Sequence, residues 1–138
     1  MTTAGRRREQ TLARVYAAVT GASVVVIGIV GLLLGNDSLF GVLNIDLAED
    51  AIHLLSGGAL LATGLLAQQE RVVRSVVGGI GALYLAVGLL AFAAPRMFGL
   101  IPHGYETVLD NLIHLTLGVL GIVIGFVLPS RRLHRSDA

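Results

Sequence analysis

The chain has 138 residues, of which 54% are hydrophobic and 14% are charged, and it contains no cysteine. Its mean hydropathy of +0.80 is far above that of ordinary soluble domains. The lack of cysteine excludes disulfides, thiolate metal sites and cysteine lipidation. A soluble helical bundle is also excluded, because the apolar stretches have no charged face to meet water. The composition therefore indicates an integral membrane protein.

Four apolar segments are each long enough to cross a hydrocarbon layer about 30 Å thick. They cover residues 15–34, 51–67, 76–94 and 112–128, and none of them contains Asp, Glu, Lys or Arg. The first is too long for a secretory signal and lacks a cleavage motif, so we expect it to be retained. We predict an all-α fold: a four-transmembrane-helix bundle that forms one integral membrane domain over residues 1–138.

The distribution of arginine predicts the orientation, because short basic loops stay on the cytoplasmic side. Nine of the ten basic residues fall on one side of the predicted bundle. These are Arg6, Arg7, Arg8, Arg14, Arg71, Arg74, Arg131, Arg132 and Arg135, whereas Arg96 falls on the other. We expect a protein of the bacterial inner membrane with a cytoplasmic arm (1–14) and a cytoplasmic tail (129–138). The loops 35–49 and 95–109 would then be external, and their apolar residues predict short interfacial turns or helices.

One polar element occurs twice. The segment from Glu49 to Leu54 reads EDAIHL, the segment from Asp110 to Leu115 reads DNLIHL, and glycine follows at the same distance in both. This match predicts a tandem, parallel repeat of one helical hairpin, with copies at 15–67 and 76–128.

The repeated element supplies the candidate ligand or proton site. Each acid lies four residues before its histidine, so the two share one helix face. An ordinary helix start, with a cap and favourable dipole contacts, is the alternative explanation. We call the candidate residues the acid–histidine cluster: Glu49, Asp50, His53, Asp110, Asn111 and His114.

These features favour a structural or interaction component of the membrane over an enzyme, because no nucleophile with an evident base is present and no catalytic residue is predicted. One alternative is a protein that binds haem, zinc or iron through His53 and His114, although no cofactor is expected. Another is a proton-responsive transporter or sensor. The expected partners are the lipid bilayer, with anionic lipids at the cytoplasmic arginines, and either a second copy or another membrane protein. Nucleic acid is not expected.

The chain from about Tyr16 to Leu128 resembles small actinobacterial four-span membrane proteins classed as domain of unknown function 4383. The resemblance rests on the two D/N-x-x-H-L-x-x-G elements, on Arg71 and on Tyr84. It implies a fold and a membrane location. The family has no established activity, so it implies no catalytic role for any residue.

Overall fold

The computed structural model of the protein describes residues 11–35, 38–40, 42–93 and 108–129. The predicted helical fold is confirmed within these ranges. The elements are α1 (Leu12–Leu34), β1 (Ser38–Leu39), β2 (Leu43–Asn44), α2 (Leu47–Leu66), α3 (Glu70–Ala93) and α4 (Val108–Ile122), which continues into a π-helical turn at Val123–Val127. Most of the predicted cytoplasmic arm, most of the predicted loop 95–109 and nearly all of the predicted tail lie outside the described residues.

Three of the described helices are long and apolar enough to cross a membrane. They are α1, α3 and the continuous helix Val108–Val127. The remaining helix, α2, has 20 residues, but Glu49, Asp50 and His53 occupy its first two turns and make that end polar. The helices are consistent with a small membrane protein.

Capping residues extend two helices beyond the predicted segments. The Thr11 side chain accepts a hydrogen bond from the backbone N–H of Arg14, so α1 begins before residue 15. Asp46 caps α2, because its carboxylate accepts hydrogen bonds from the backbone N–H groups of Ala48 and Glu49, both at 2.9 Å. The helix start therefore lies four residues before the start predicted from hydropathy.

Glycines allow the helices to pack in two close pairs, α1 with α2 and α3 with α4. A Cβ atom placed on Gly21 would lie 2.8 Å from the carbonyl oxygen of Gly57, and one on Gly81 would lie 2.7 Å from the carbonyl carbon of Gly121. Each distance is shorter than a van der Waals contact. The backbones of each pair can approach this closely only because a side chain is absent at these positions.

The segment before α2 forms two short strands instead of the predicted turns or helices. Ser38 pairs with Asn44 and Leu39 with Leu43 in antiparallel register. Phe40, directly after β1, has a φ of 57°. Backbone pairing satisfies polar groups of this connection without a helix. Because β2 also contacts α4, this strand pair lies where α2 and α4 begin.

Replacement of Gly81 by alanine is expected to lower the free energy of unfolding by about 1–3 kcal/mol, the typical cost of overpacking. The added Cβ would meet the backbone of Gly121, which cannot rotate away. Gly79→Ala is the matched control, since no atom lies within 4 Å of a Cβ at that position. Thermal unfolding of the two variants in detergent measures the difference. Equal stability of the two variants would contradict the packing.

Candidate functional site

The acid–histidine cluster lies at one end of the helix pairs. In the first pair, Gly31 near the end of α1 packs against Asp50 at the start of α2. In the second pair, Gly88 near the end of α3 packs against Leu115, next to His114. We call this the acid–histidine end. The other end, which we call the arginine end, holds all arginines of the described residues: Arg14, Arg71 and Arg74.

All six residues of the cluster are buried. The exposed fraction is 1% for Asp110, 4% for Glu49 and His114, and 7% for His53. Burial of ionisable groups is costly unless they are paired, neutralised or bound to a cation. The three arginines of the described residues lie at the other end, so none of them can neutralise these acids.

The structure brings His53 and His114 together, although they belong to different helix pairs. Their ring centroids are 5.9 Å apart and their planes differ by 9°. The site therefore lies where the two helix pairs meet. Each pair contributes one imidazole to it.

His114 lies between two carboxyl groups. Its Nε2 atom is 3.9 Å from Oε1 of Glu49, and its Nδ1 atom is 3.9 Å from Oδ2 of Asp110. Both distances are longer than a hydrogen bond, so these are electrostatic contacts. The two ring nitrogens of His114 therefore face different carboxyl groups.

Burial favours the neutral form of Glu49, which lies in the first turn of α2 and before the predicted span 51–67. Burial raises the pKa of Glu49 to about 9, and repulsion from the Asp110 carboxylate adds to the effect. With both groups ionised, neither carboxyl has a proton to donate, and the Glu49 oxygens accept no hydrogen bond from the described residues. With one proton added, Glu49 and Asp110 are close enough to share it through a hydrogen bond.

Asp50 and Asn111 have different surroundings from Glu49 and Asp110, the two acids beside His114. The Asp50 carboxylate packs against Gly31 of α1, and burial together with the nearby Asp46 charge raises its pKa. Asp46 is the N-cap of α2, so capping does not explain the presence of Asp50. The side-chain oxygen of Asn111 is buried and has no hydrogen-bond partner among the described residues.

Two further residues, Tyr84 and Ser56, lie beside the histidines, and the repeated element did not predict them. The Tyr84 ring centroid is 5.4 Å from that of His114 and 6.5 Å from that of His53. Its hydroxyl lies 3.0 Å from the Ser56 hydroxyl, which donates to the carbonyl of Ile52 at 2.6 Å. A tyrosine inside an otherwise apolar segment could have indicated that Tyr84 lies in a polar site, since a buried phenol needs a hydrogen-bond partner.

Three members of the cluster lie close enough together that they could hold one metal ion. Glu49, His53 and His114 each offer an atom within 4.8 Å of those of the other two. Nδ1 of His53 has no hydrogen-bond partner in the described part of the chain, and the Glu49 carboxyl has one only when it shares a proton with Asp110. Buried polar atoms without a partner are uncommon in folded proteins. Because Glu49 lies within 3.9 Å of His114, the arrangement fits a single ion better than a haem plane between the rings.

Comparison with known families gives a match over the first part of the chain. The model of the family described as domain of unknown function (DUF4383) matches residues 3–66, a range that includes α1 and α2. No curated protein and no solved structure matches the chain. The match includes Glu49, Asp50 and His53, and it ends before Tyr84, Asp110 and His114.

The metal-free protein is expected to lose stability as the pH rises. The pKa of Glu49 is about 9 in the folded protein and near 4.5 in the unfolded chain, so the folded state holds a proton that the unfolded chain releases between these values. The stabilisation is fully present below about pH 4.5 and is lost as the pH rises through about 9. Glu49→Gln, which stays neutral, should flatten this dependence.

Thermal unfolding of chelator-treated protein in detergent, followed by circular dichroism across this pH range, makes the comparison. The assignment of the buried proton to Glu49 is wrong if the glutamine variant keeps the wild-type pH dependence.

Proposed function

We propose that the protein is a multi-pass membrane protein that binds one divalent transition-metal ion, Zn²⁺ or Fe²⁺, through Glu49, His53 and His114. The observation that carries this proposal is the convergence of three buried ligand residues, with ligand atoms within 4.8 Å of one another. Two imidazoles and one carboxylate form a donor set that suits both metals. Such a set also leaves a coordination position open for water or another ligand.

The charges around the site support a cation. Glu49 and Asp110 are buried beside each other, and the arginines of the described residues lie at the opposite end. A divalent ion would replace the shared proton and neutralise both carboxylates. Metal binding would therefore release a proton and become tighter with rising pH.

Asp110 is suited to position His114 and not to bind the ion itself. Because Nε2 of His114 faces Glu49 while Nδ1 faces Asp110, the carboxylate can hold the ring with Nε2 directed at the site. A carboxylate behind a metal-binding imidazole fixes the ring and raises its basicity. Small movements of the side chains would bring the three ligand atoms to metal-binding distance.

A role in assembly follows from the origin of the ligands. Glu49 and His53 come from the first helix pair and His114 from the second, so a bound ion would join the pairs. We infer a structural or interaction component of the membrane whose two halves are locked by a metal. This role requires no catalytic step.

We further propose that all four helices span the membrane as two copies of one hairpin, with the acid–histidine end outside and both termini in the cytoplasm. Equivalent contacts support the duplication. A Cβ atom on Gly57 would meet Val25, and one on Gly118 would meet Leu85, at positions about 60 residues further along. The arginines at the opposite end support the orientation.

A proton-binding centre is the second candidate, and the adjacent carboxyl groups of Glu49 and Asp110 favour it. Two acids that share one proton form a common proton-binding arrangement. In this case the acid–histidine cluster would respond to external pH without a metal. Metal titration separates the two candidates.

Purified, metal-free protein is expected to bind Zn²⁺ stoichiometrically in competition with a chromophoric chelator. His53→Ala and His114→Ala should each weaken binding by more than about 100-fold, and Asp110→Asn by about 10- to 100-fold. His134→Ala is the matched control, since it removes a histidine of the predicted tail that does not belong to the repeated acid–histidine element.

Circular dichroism of each variant verifies that the helices remain folded. The metal proposal fails if the wild-type protein cannot compete with the chelator for either Zn²⁺ or Fe²⁺. It also fails if His134→Ala weakens binding as much as the variants of the site.

A further inference from the structure

At the arginine end, the two helix pairs share one type of contact. Arg14 of α1 donates from Nη1 to the carbonyl oxygens of Gly64 at 3.3 Å and Ala67 at 2.8 Å, where α2 ends. Arg74 of α3 donates from Nε to the carbonyl oxygen of Gly125 at 3.1 Å, in the π-helical turn. The last carbonyl groups of a helix have no partner within it, so each arginine satisfies a helix end.

The two arginines differ in their acidic partners. Arg14 is buried, and its Nη2 atom lies 3.9 Å from Oε2 of Glu70. No carboxylate of the described residues pairs with Arg74, although its backbone contact resembles that of Arg14. Arg74 instead lines a cleft of about 470 Å³. The cleft is lined by Glu70, Arg71, Arg74, Ser75, Gly125 and Phe126.

We propose that this cleft binds the phosphate group of an anionic phospholipid. Two guanidinium groups and the Ser75 hydroxyl supply donors that match the charge and the oxygens of a phosphate. Glu70 opposes an anion, but its charge is offset by Arg14. The residues also lie in the first turns of α3, where the helix dipole favours negative charge.

The apolar residues around the cleft favour a lipid over a free phosphate as the ligand. Phe126 is 57% exposed, and its neighbour Val127 is 68% exposed, so apolar side chains border the polar groups. Val72, next to Arg71, is also exposed. Arginines above an apolar surface match a headgroup joined to acyl chains. The arginine end is also the end that we expect to face the anionic cytoplasmic leaflet.

The test is native mass spectrometry of the full chain in detergent, with phosphatidylglycerol and phosphatidylcholine of the same acyl chains. Preferential binding of phosphatidylglycerol is expected. Arg71→Gln should weaken it by about fivefold, the effect of one arginine near an anionic headgroup, and the double variant with Arg74→Gln should weaken it further. The side chain of Arg71 makes no hydrogen bond within the described residues, so we expect the single variant to keep the fold.

Arg135→Gln is the matched control, because it removes one positive charge from the tail and should leave lipid binding unchanged. Equal weakening by Arg135→Gln, or wild-type binding by Arg71→Gln, would overturn the site in favour of diffuse attraction. Displacement of the lipid by inorganic phosphate at an equal concentration would overturn the choice of a lipid.

Discussion

Neutralisation of buried charge is the constraint on which the acid–histidine end depends. Four buried carboxyl groups, those of Asp46, Glu49, Asp50 and Asp110, lie there with two imidazoles, and the arginines of the described residues are at the opposite end. Asp46 is satisfied by backbone N–H groups, but Glu49 accepts no hydrogen bond from the described residues. A proton or a divalent cation must supply the missing positive charge, because uncompensated buried charge is too costly. The raised pKa of Glu49 and the three converging ligand atoms are two consequences of this one requirement.

The close packing of the helices creates the space for this chemistry. Gly28 and Gly31 of α1 leave room for His53 and Asp50, since a Cβ atom at Gly28 would lie 3.1 Å from Cβ of His53 and one at Gly31 would collide with the Asp50 carboxylate. The polar side chains therefore lie inside the molecule and do not face lipid. Ionisable groups in membrane helices usually take such interior positions. The site is a product of both helix pairs, because neither pair alone holds two histidines.

The sequence predicted the helical fold and the residues of the cluster because both depend on local spacing. Hydropathy predicted the segments, and the four-residue interval predicted the contact of Asp110 with His114. Glu49 instead makes its 3.9 Å contact with His114, across the two helix pairs. Local spacing in the sequence could not show that His53 and His114 share one pocket, since this depends on how the two helix pairs rotate and pack. For the same reason Tyr84 could not be placed near the histidines. The start of α2 was predicted too late, because Asp46 caps a polar turn that hydropathy assigns to the loop.

X-ray absorption at the metal K-edge tests the central claim most directly. The full chain would be purified without chelator from cells grown with zinc or iron. Binding through Glu49, His53 and His114 predicts two imidazole nitrogens and a carboxylate oxygen at about 2.0–2.2 Å from the metal, with the imidazole contribution reduced in His114→Ala. A metal-free protein, or a shell of oxygen atoms without imidazole in the wild type, would contradict it.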